Sequence, residues 1–432
     1  MESRHAPTAP KPPLSPLDIT EFELDPETVR DRFQWARRHG HPAYLWPDVS
    51  FEAWKAATAV LGRVTRKMVA SHDLVRMEVP ADLTSRALGI AAFATGMGPL
   101  LGHWLETDRL ETDPGTAALL ALHLDQGRKR FARVERLAID TVPLLRRADP
   151  DAVLLKGFHT AREYFPEPGT RPVADVDVLI AEPSVERAER ALEDAGFIAT
   201  TTLRLPYRRD WVRSKPRLPR SLEVDHEDNP IALDLHGSLA RVFSGTRRVD
   251  LATAGLATTP WKFGDVPTRV LAQPLLTAFL AMHASEEIHH LRLVRLFELI
   301  TVIRRDTANG RLEWQALSDL FAATASARFC YPALALAEKL GPETVAPQIL
   351  ADARAASSHM MRRVVDRLEP ETCLRLDSRS LAERFMWAAT PADALRCAAF
   401  ALRPGRTNAA PLGRVLSERF FRVIRGRVSM RP

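Results

Sequence analysis

The chain has 432 residues, 46% hydrophobic and 26% charged, with a formal net charge of +6 spread along its length mainly as arginine. That length predicts two or three domains, and the apolar content suffices for cores that need no disulfide staples. The three cysteines (Cys330, Cys373, Cys397) lack metal-ligand spacing, no apolar run is long enough to span a bilayer, and the N-terminal residues lack a signal peptide's apolar core, which together argue for a cytoplasmic protein without a membrane span.

Residues 1–20 are proline-rich and read as a disordered lead-in. Residues 21–148 read as a helical region. Asp25, Pro26 and Glu27 form a helix start, and Gly40 a stop. Trp54, Ala57, Val60, Leu61, Val64 and Met68 recur at helical spacing, and residues 116–147 repeat the pattern at greater length. Between them, Gly96, Gly98 and Gly102 resemble a dinucleotide loop only loosely. No strand precedes them and Pro99 intrudes, so they predict a helix break.

Residues 149–264 read as a small mixed α/β core. Residues 152–155 form a short apolar strand leading into the turn Lys156-Gly157, and residues 175–181 form the next strand. Ser184 starts a helix that Gly196 stops, and residues 197–203 are again strand-like. Residues 206–219 are basic and broken by prolines, which predicts a loop. Residues 221–226 and 231–236 flank Glu227-Asp228-Asn229-Pro230 and predict a β-hairpin. Residues 265–432 return to helical periodicity, with a linker at 404–411 and a last basic amphipathic helix at 413–427. Such a helix can touch a membrane but more often docks on its own protein. The fold class expected is α+β: a small mixed-sheet core flanked by two helical regions.

Asp175 and Asp177 stand two apart in an otherwise apolar run, so they leave the same face of a strand. Two carboxylates so close raise one another's pKa, and the arrangement suits a hard cation such as Mg²⁺ shared with substrate phosphates. Asp234, amid Ala232, Leu233 and Leu235, is the best third carboxylate, since an unpaired charge on a buried strand is costly; His236 shares its face. In Lys156-Gly157 the glycine lets backbone approach a ligand, the turn into a helix presents free amides, and the lysine adds a point charge for phosphate. Arg171 would either clamp phosphate or offset the aspartates. His283, Glu287 and His290 share one helical face without the HExxH order of a zinc site, and predict a polar face packed on the α/β core.

Lys156-Gly157, then Arg171 with Asp175-Val176-Asp177, then Asp234-Leu235-His236, together resemble the nucleotidyltransferases of the DNA polymerase β superfamily. More narrowly the chain is similar to the bacterial family labelled "uncharacterised nucleotidyltransferase". The match extends through Gly196-Phe197 and the segment from His283 to Glu298, where the family more often has an aspartate. Phe158 also departs from the small hydroxyl residue usual after the glycine. The family's acid in the linker is absent from 404–411.

The resemblance implies a magnesium-dependent transferase. Asp175, Asp177 and Asp234 would be catalytic and hold two Mg²⁺ ions. Lys156, Gly157, Arg171 and His236 would meet the phosphates of a nucleoside triphosphate such as ATP. A hydroxyl-bearing acceptor (a small molecule, a peptide or protein, or an RNA end) would receive the nucleoside monophosphate.

Two other classes compete. A catalytically silent nucleotide-binding or interaction module would keep the fold without turnover. An RNA-binding protein would need clustered basic and aromatic residues, which only the stretch from Arg204 to Arg220, with Tyr207 and Trp211, resembles, so nucleic acid is the less favoured partner.

Overall fold

The computed structural model describes residues 23–39, 45–71, 73–200, 208–214, 218–243, 247–288, 291–370 and 385–402. The expected helix stop at Gly40, the lead-in 1–20, Arg204, Tyr207, His290, Cys373, the linker 404–411 and the basic segment 413–427 lie outside them.

The N-terminal helices are α1 (Pro26–His39), α2 (Phe51–Ala70), α3 (Ser85–Thr95), α4 (Gly98–Glu106) and α5 (Pro114–Ala148). Their starts follow from local hydrogen bonding. Asp25 accepts from the amides of Glu27 and Thr28, Ser50 from Ala53, and Asp113 from Thr116. Gly96 takes a φ of 75°, a left-handed turn that suits glycine, and α3 and α4 meet there at a bend of 113°. The expected helix break is therefore present. Two-residue strands β1 (Val75–Arg76) and β2 (Leu110–Glu111) pair in parallel beside these helices.

Next come β3 (Val153–Leu154), α6 (Phe158–Tyr164), β4 (Asp175–Leu179), α7 (Val185–Asp194), β5 (Ile198–Ala199), β6 (Arg208–Val212) and β7 (Ala232–His236). β8 (Arg241–Phe243) and β9 (Arg247–Val249) form a separate antiparallel pair, followed by β10 (Thr258–Phe263) and β11 (Val266–Leu271). The remaining helices are α8 (Leu275–Glu286), α9 (Leu293–Ala308), α10 (Trp314–Thr324), α11 (Ala327–Leu340), α12 (Pro347–Ala356), α13 (His359–Arg367) and α14 (Pro391–Leu402).

Among the described residues seven strands make one mixed sheet in the order β10-β11-β3-β4-β7-β6-β5. The class is α+β, a mixed sheet flanked by helices from both ends of the chain. β11 lies beyond residue 264, the boundary expected for the α/β core.

Two local expectations are corrected. β7 does not pair with residues 221–226; it lies between β4, parallel, and β6, antiparallel. Residues 220–229 instead close a tight loop in which the Asn229 side chain accepts from the amides of Arg220 and Ser221 and donates to the Ser221 carbonyl. The stretch read as a loop contains β6, anchored by Trp211, which is 0% exposed.

The strands alternate faces. Leu154, Val176, Val178, Trp211, Leu233 and Leu235 form a core with the C-terminal half of α5 and with α7. Val153, Leu155 and Leu179 face the other way and join a larger core built from α2, α3, α4, α8, α9 and α11. That second face carries the carboxylates. Among the described residues no single helix is long and apolar enough to cross a membrane.

Candidate metal and nucleotide site

Asp177 on β4 and Asp234 on β7 are direct neighbours across the parallel pair, and Asp210 on β6 is the direct neighbour of Asp234 on its other side. Neighbours in register share a face, so three adjacent strands each project one carboxylate from the face turned toward α8 and α9. Asp175 lies two residues before Asp177 on the same face, opposite Ala232, and is only half-buried. His236 follows Asp234 by two and sits opposite Arg208.

Asp177 and Asp234 are each 1% exposed. Two such charges would not stay buried without partners. Lys156 Nζ donates to Asp177 Oδ2 at 2.8 Å, and His236 Nε2 lies 2.9 Å from Asp177 Oδ1. Arg208 pairs with Asp234 and reaches Asp210 at 3.2 Å. The ligand atoms of Asp177, Asp234 and His236 all lie within 4.8 Å of one another, close enough to share a cation; Asp175 stands outside that group.

The electrostatics divide the carboxylates. Burial alone would raise Asp177, but Lys156 and His236 override it and hold its carboxyl far below the usual range. Burial, joined by the charges of Asp175 and Asp177, pushes Asp234 up to about 9 despite the Arg208 guanidinium. Burial also lowers His236, although its bond to Asp177 works the other way, so the ring is neutral at pH 7. A neutral ring bonded to a carboxylate carries its proton on the bonded nitrogen, here Nε2.

Gly157 has a φ of 76°, and a Cβ placed there would lie 3.6 Å from Arg171 Nη1 and 3.9 Å from Asp177 Oδ2. The turn after β3 thus runs along the carboxylates in a conformation that favours glycine. Arg171 also reaches α9: its Nε and Nη2 each donate to Glu298 at 2.9 Å, and Thr160 on α6 donates its hydroxyl to the same carboxylate. Glu298 therefore ties Arg171 and α6 to α9.

Three site features escape the sequence reading. Asp210 and Arg208 lay in the stretch read as a loop, though the run Trp211-Val212 is a strand-favouring signal. Arg130 on α5, 4% exposed, donates to the carbonyls of Val173, His226, Asn229 and Pro230, the approaches to β4 and β7. Nothing local announces such a residue. Trp211 is buried under the sheet, which removes it from any basic and aromatic surface patch for RNA.

His283 lies on α8 and is 7% exposed; Glu287 caps that helix and pairs with Arg295 at 3.2 Å. A second grouping, His103, Glu106 and Glu167, is partly exposed, and Arg128 bonds both of its carboxylates.

Residues 85–342 match the family described as "Uncharacterised nucleotidyltransferase". No curated protein and no solved structure matches the chain.

Proposed function

The chain belongs to the uncharacterised nucleotidyltransferase family, and on that footing we propose that it moves a nucleoside monophosphate from a nucleoside triphosphate to a hydroxyl-bearing acceptor. The observation that carries this reading is the register of Asp177 with Asp234, two buried carboxylates side by side, with Lys156 and Gly157 beside them. We assign the site to the DNA polymerase β type and the protein to the cytoplasm, on its motifs and its sparse cysteines.

The residues fit a divalent cation: carboxylate oxygens from Asp177 and Asp234, with Asp175 at the rim and His236 adjacent. Mg²⁺, two ions in this reading, would supply charge neutralisation for the triphosphate and leaving pyrophosphate and would acidify the acceptor hydroxyl. The protein supplies position and charge. Lys156, now on Asp177, would meet phosphate oxygens if a cation satisfied that carboxylate. Gly157 lets backbone lie against the α-phosphate region without a side chain between. His236 keeps Asp177 oriented through Nε2. Asp234 would hold a cation only as the carboxylate, so its proton would have to leave first.

A silent nucleotide-binding module is the second reading, and the Arg208 guanidinium on Asp234 favours it, because it occupies the carboxyl that a cation would need. Incubation with each labelled nucleoside triphosphate, Mg²⁺ and cell extract separates the two. Labelled acceptor that disappears with Asp177→Asn and Asp234→Asn supports transfer. Metal-dependent binding without labelled product from any triphosphate supports the silent module.

A further inference from the structure

Arg208 and Asp210 stand two apart on β6, so they leave the same face of that strand. Register sets Asp210 directly beside Asp234 of β7, and Arg208 beside His236. The Arg208 guanidinium bridges the two acids: Nη2 donates to Asp234 Oδ2, and Nε donates to Asp210 Oδ1 at 3.2 Å. Exposure is graded across this bridge. The Asp234 side chain is 2% exposed, against 32% for Asp210 and 35% for Arg208. The guanidinium therefore covers the buried carboxylate on its solvent side, and Asp210 holds it there from the rim.

A divalent cation on Asp234 would meet this guanidinium as a like charge and would need the same oxygen. It would have to displace Arg208. Expelled into water, the arginine would give up its carboxylate bond outright. Asp210 offers it another. That carboxylate already accepts from Nε, and one carboxylate can take both Nε and Nη2 of a single guanidinium, as Glu298 takes those of Arg171. Turning about the Nε anchor would let Nη2 exchange Asp234 for the second oxygen of Asp210, with no charge-assisted bond lost.

We propose that Asp210 is a positioning residue of the metal site: it takes the Arg208 guanidinium from Asp234 when a divalent cation enters, so that Asp234 changes partner and no charge is left unpaired. The inference rests on the cation that the transfer reading places at Asp177 and Asp234, and it extends that reading. Arg208 is the resting occupant of the site, and Asp210 acts on the metal only through Arg208.

Calorimetric titration of the full chain with Mn²⁺ alone tests this. Arg208→Gln should tighten Mn²⁺ binding and Asp210→Asn should weaken it, each by about tenfold, the scale of one charge-assisted bond. Asp210→Glu, which keeps the carboxylate, should restore most of that loss. With Arg208→Gln already in place and at high salt, Asp210→Asn should weaken binding by no more than about twofold, the scale of an exposed charge pair. An equal loss from Asp210→Asn with and without Arg208 overturns the proposal, since Asp210 would then act on the cation itself. Mn²⁺ binding by Arg208→Gln no tighter than by the parent overturns it too. In the parent chain labelled with ¹⁵N-arginine, Mg²⁺ should shift the Arg208 Nε resonance; an unmoved resonance overturns the proposal without any variant. Failure of the transfer reading looks different: no triphosphate would then give labelled product, whereas the Mn²⁺ titrations are read without turnover.

Discussion

Lys156 Nζ sits 2.8 Å from Asp177 Oδ2, so one lysine both closes the turn after β3 and neutralises the central carboxylate. In the proposed site a metal ion and this lysine would compete for Asp177. Lys156→Met should therefore tighten Mg²⁺ or Mn²⁺ binding while weakening nucleoside triphosphate binding, each by about tenfold, the scale of one charge-assisted bond. Calorimetry with metal alone and with metal plus nucleotide reads both. Changes of the same sign would show that Lys156 does not exchange between the two partners.

Asp177→Asn and Asp234→Asn keep the shape of the site and remove the ligand charge. Transfer activity should fall by roughly a thousandfold in each, since metal stabilisation is worth several kcal/mol. Thermal stability without metal should change little for Asp234→Asn, because that carboxyl already holds a proton at neutral pH. A large loss of melting temperature there would contradict the protonated state.

The raised carboxyl of Asp234 would give metal binding a pH dependence. Its folded value, about 9, lies above the ordinary carboxylate value, so the metal-free folded state binds more protons than the unfolded state between pH 4 and 9. Stability from this group is fully present at low pH and is lost as pH rises through 9. Metal binding runs the other way: it must displace the proton, so Mg²⁺ affinity should climb with pH up to about 9 and binding at pH 7 should release a proton. Titrations in buffers of different ionisation enthalpy measure that release directly.

Arg171 and Glu298 form a buried pair with two donated bonds. Removing one partner strands a buried charge. Arg171→Met should cost about 3–5 kcal/mol, and pairing it with Glu298→Leu should recover most of the loss. Chemical denaturation of the single and double variants tests this. An additive double variant would mean that the two residues do not act as a pair.

Two buried histidines predict acid sensitivity. Burial lowers His123 and His159 to about 4 each, against 6.5 for the free group. Between those values the unfolded chain takes protons that the folded chain refuses, so stability is present above pH 6.5 and is lost as pH falls toward 4. Each should remove about 2 kcal/mol by pH 5. Denaturant midpoints at pH 7 and pH 5 measure the loss, and His123→Gln should remove its share.

Much of the site was legible because it is written in short-range alternation. Asp175, Asp177, Asp234 and His236 each interrupt an apolar strand, and an interrupted strand carries its own warning of a buried charge. The strand partners were not legible. A polar turn beside two apolar runs suggested a hairpin, yet β7 pairs with β4, more than fifty residues away, and with β6. Proline and arginine masked β6, and with it Asp210. The pairing of Arg171 with Glu298 joins residues 127 apart, a relation that no window of sequence contains.

The 35 residues of α5 run from the helical layer to the underside of the sheet, and Arg130, part-way along, clasps the lead-ins to both carboxylate strands. A splint of this kind leaves no hinge between the first helices and β4 or β7. Any closure on a ligand would have to come from the opposite bank, where α8 and α9 meet the carboxylate face.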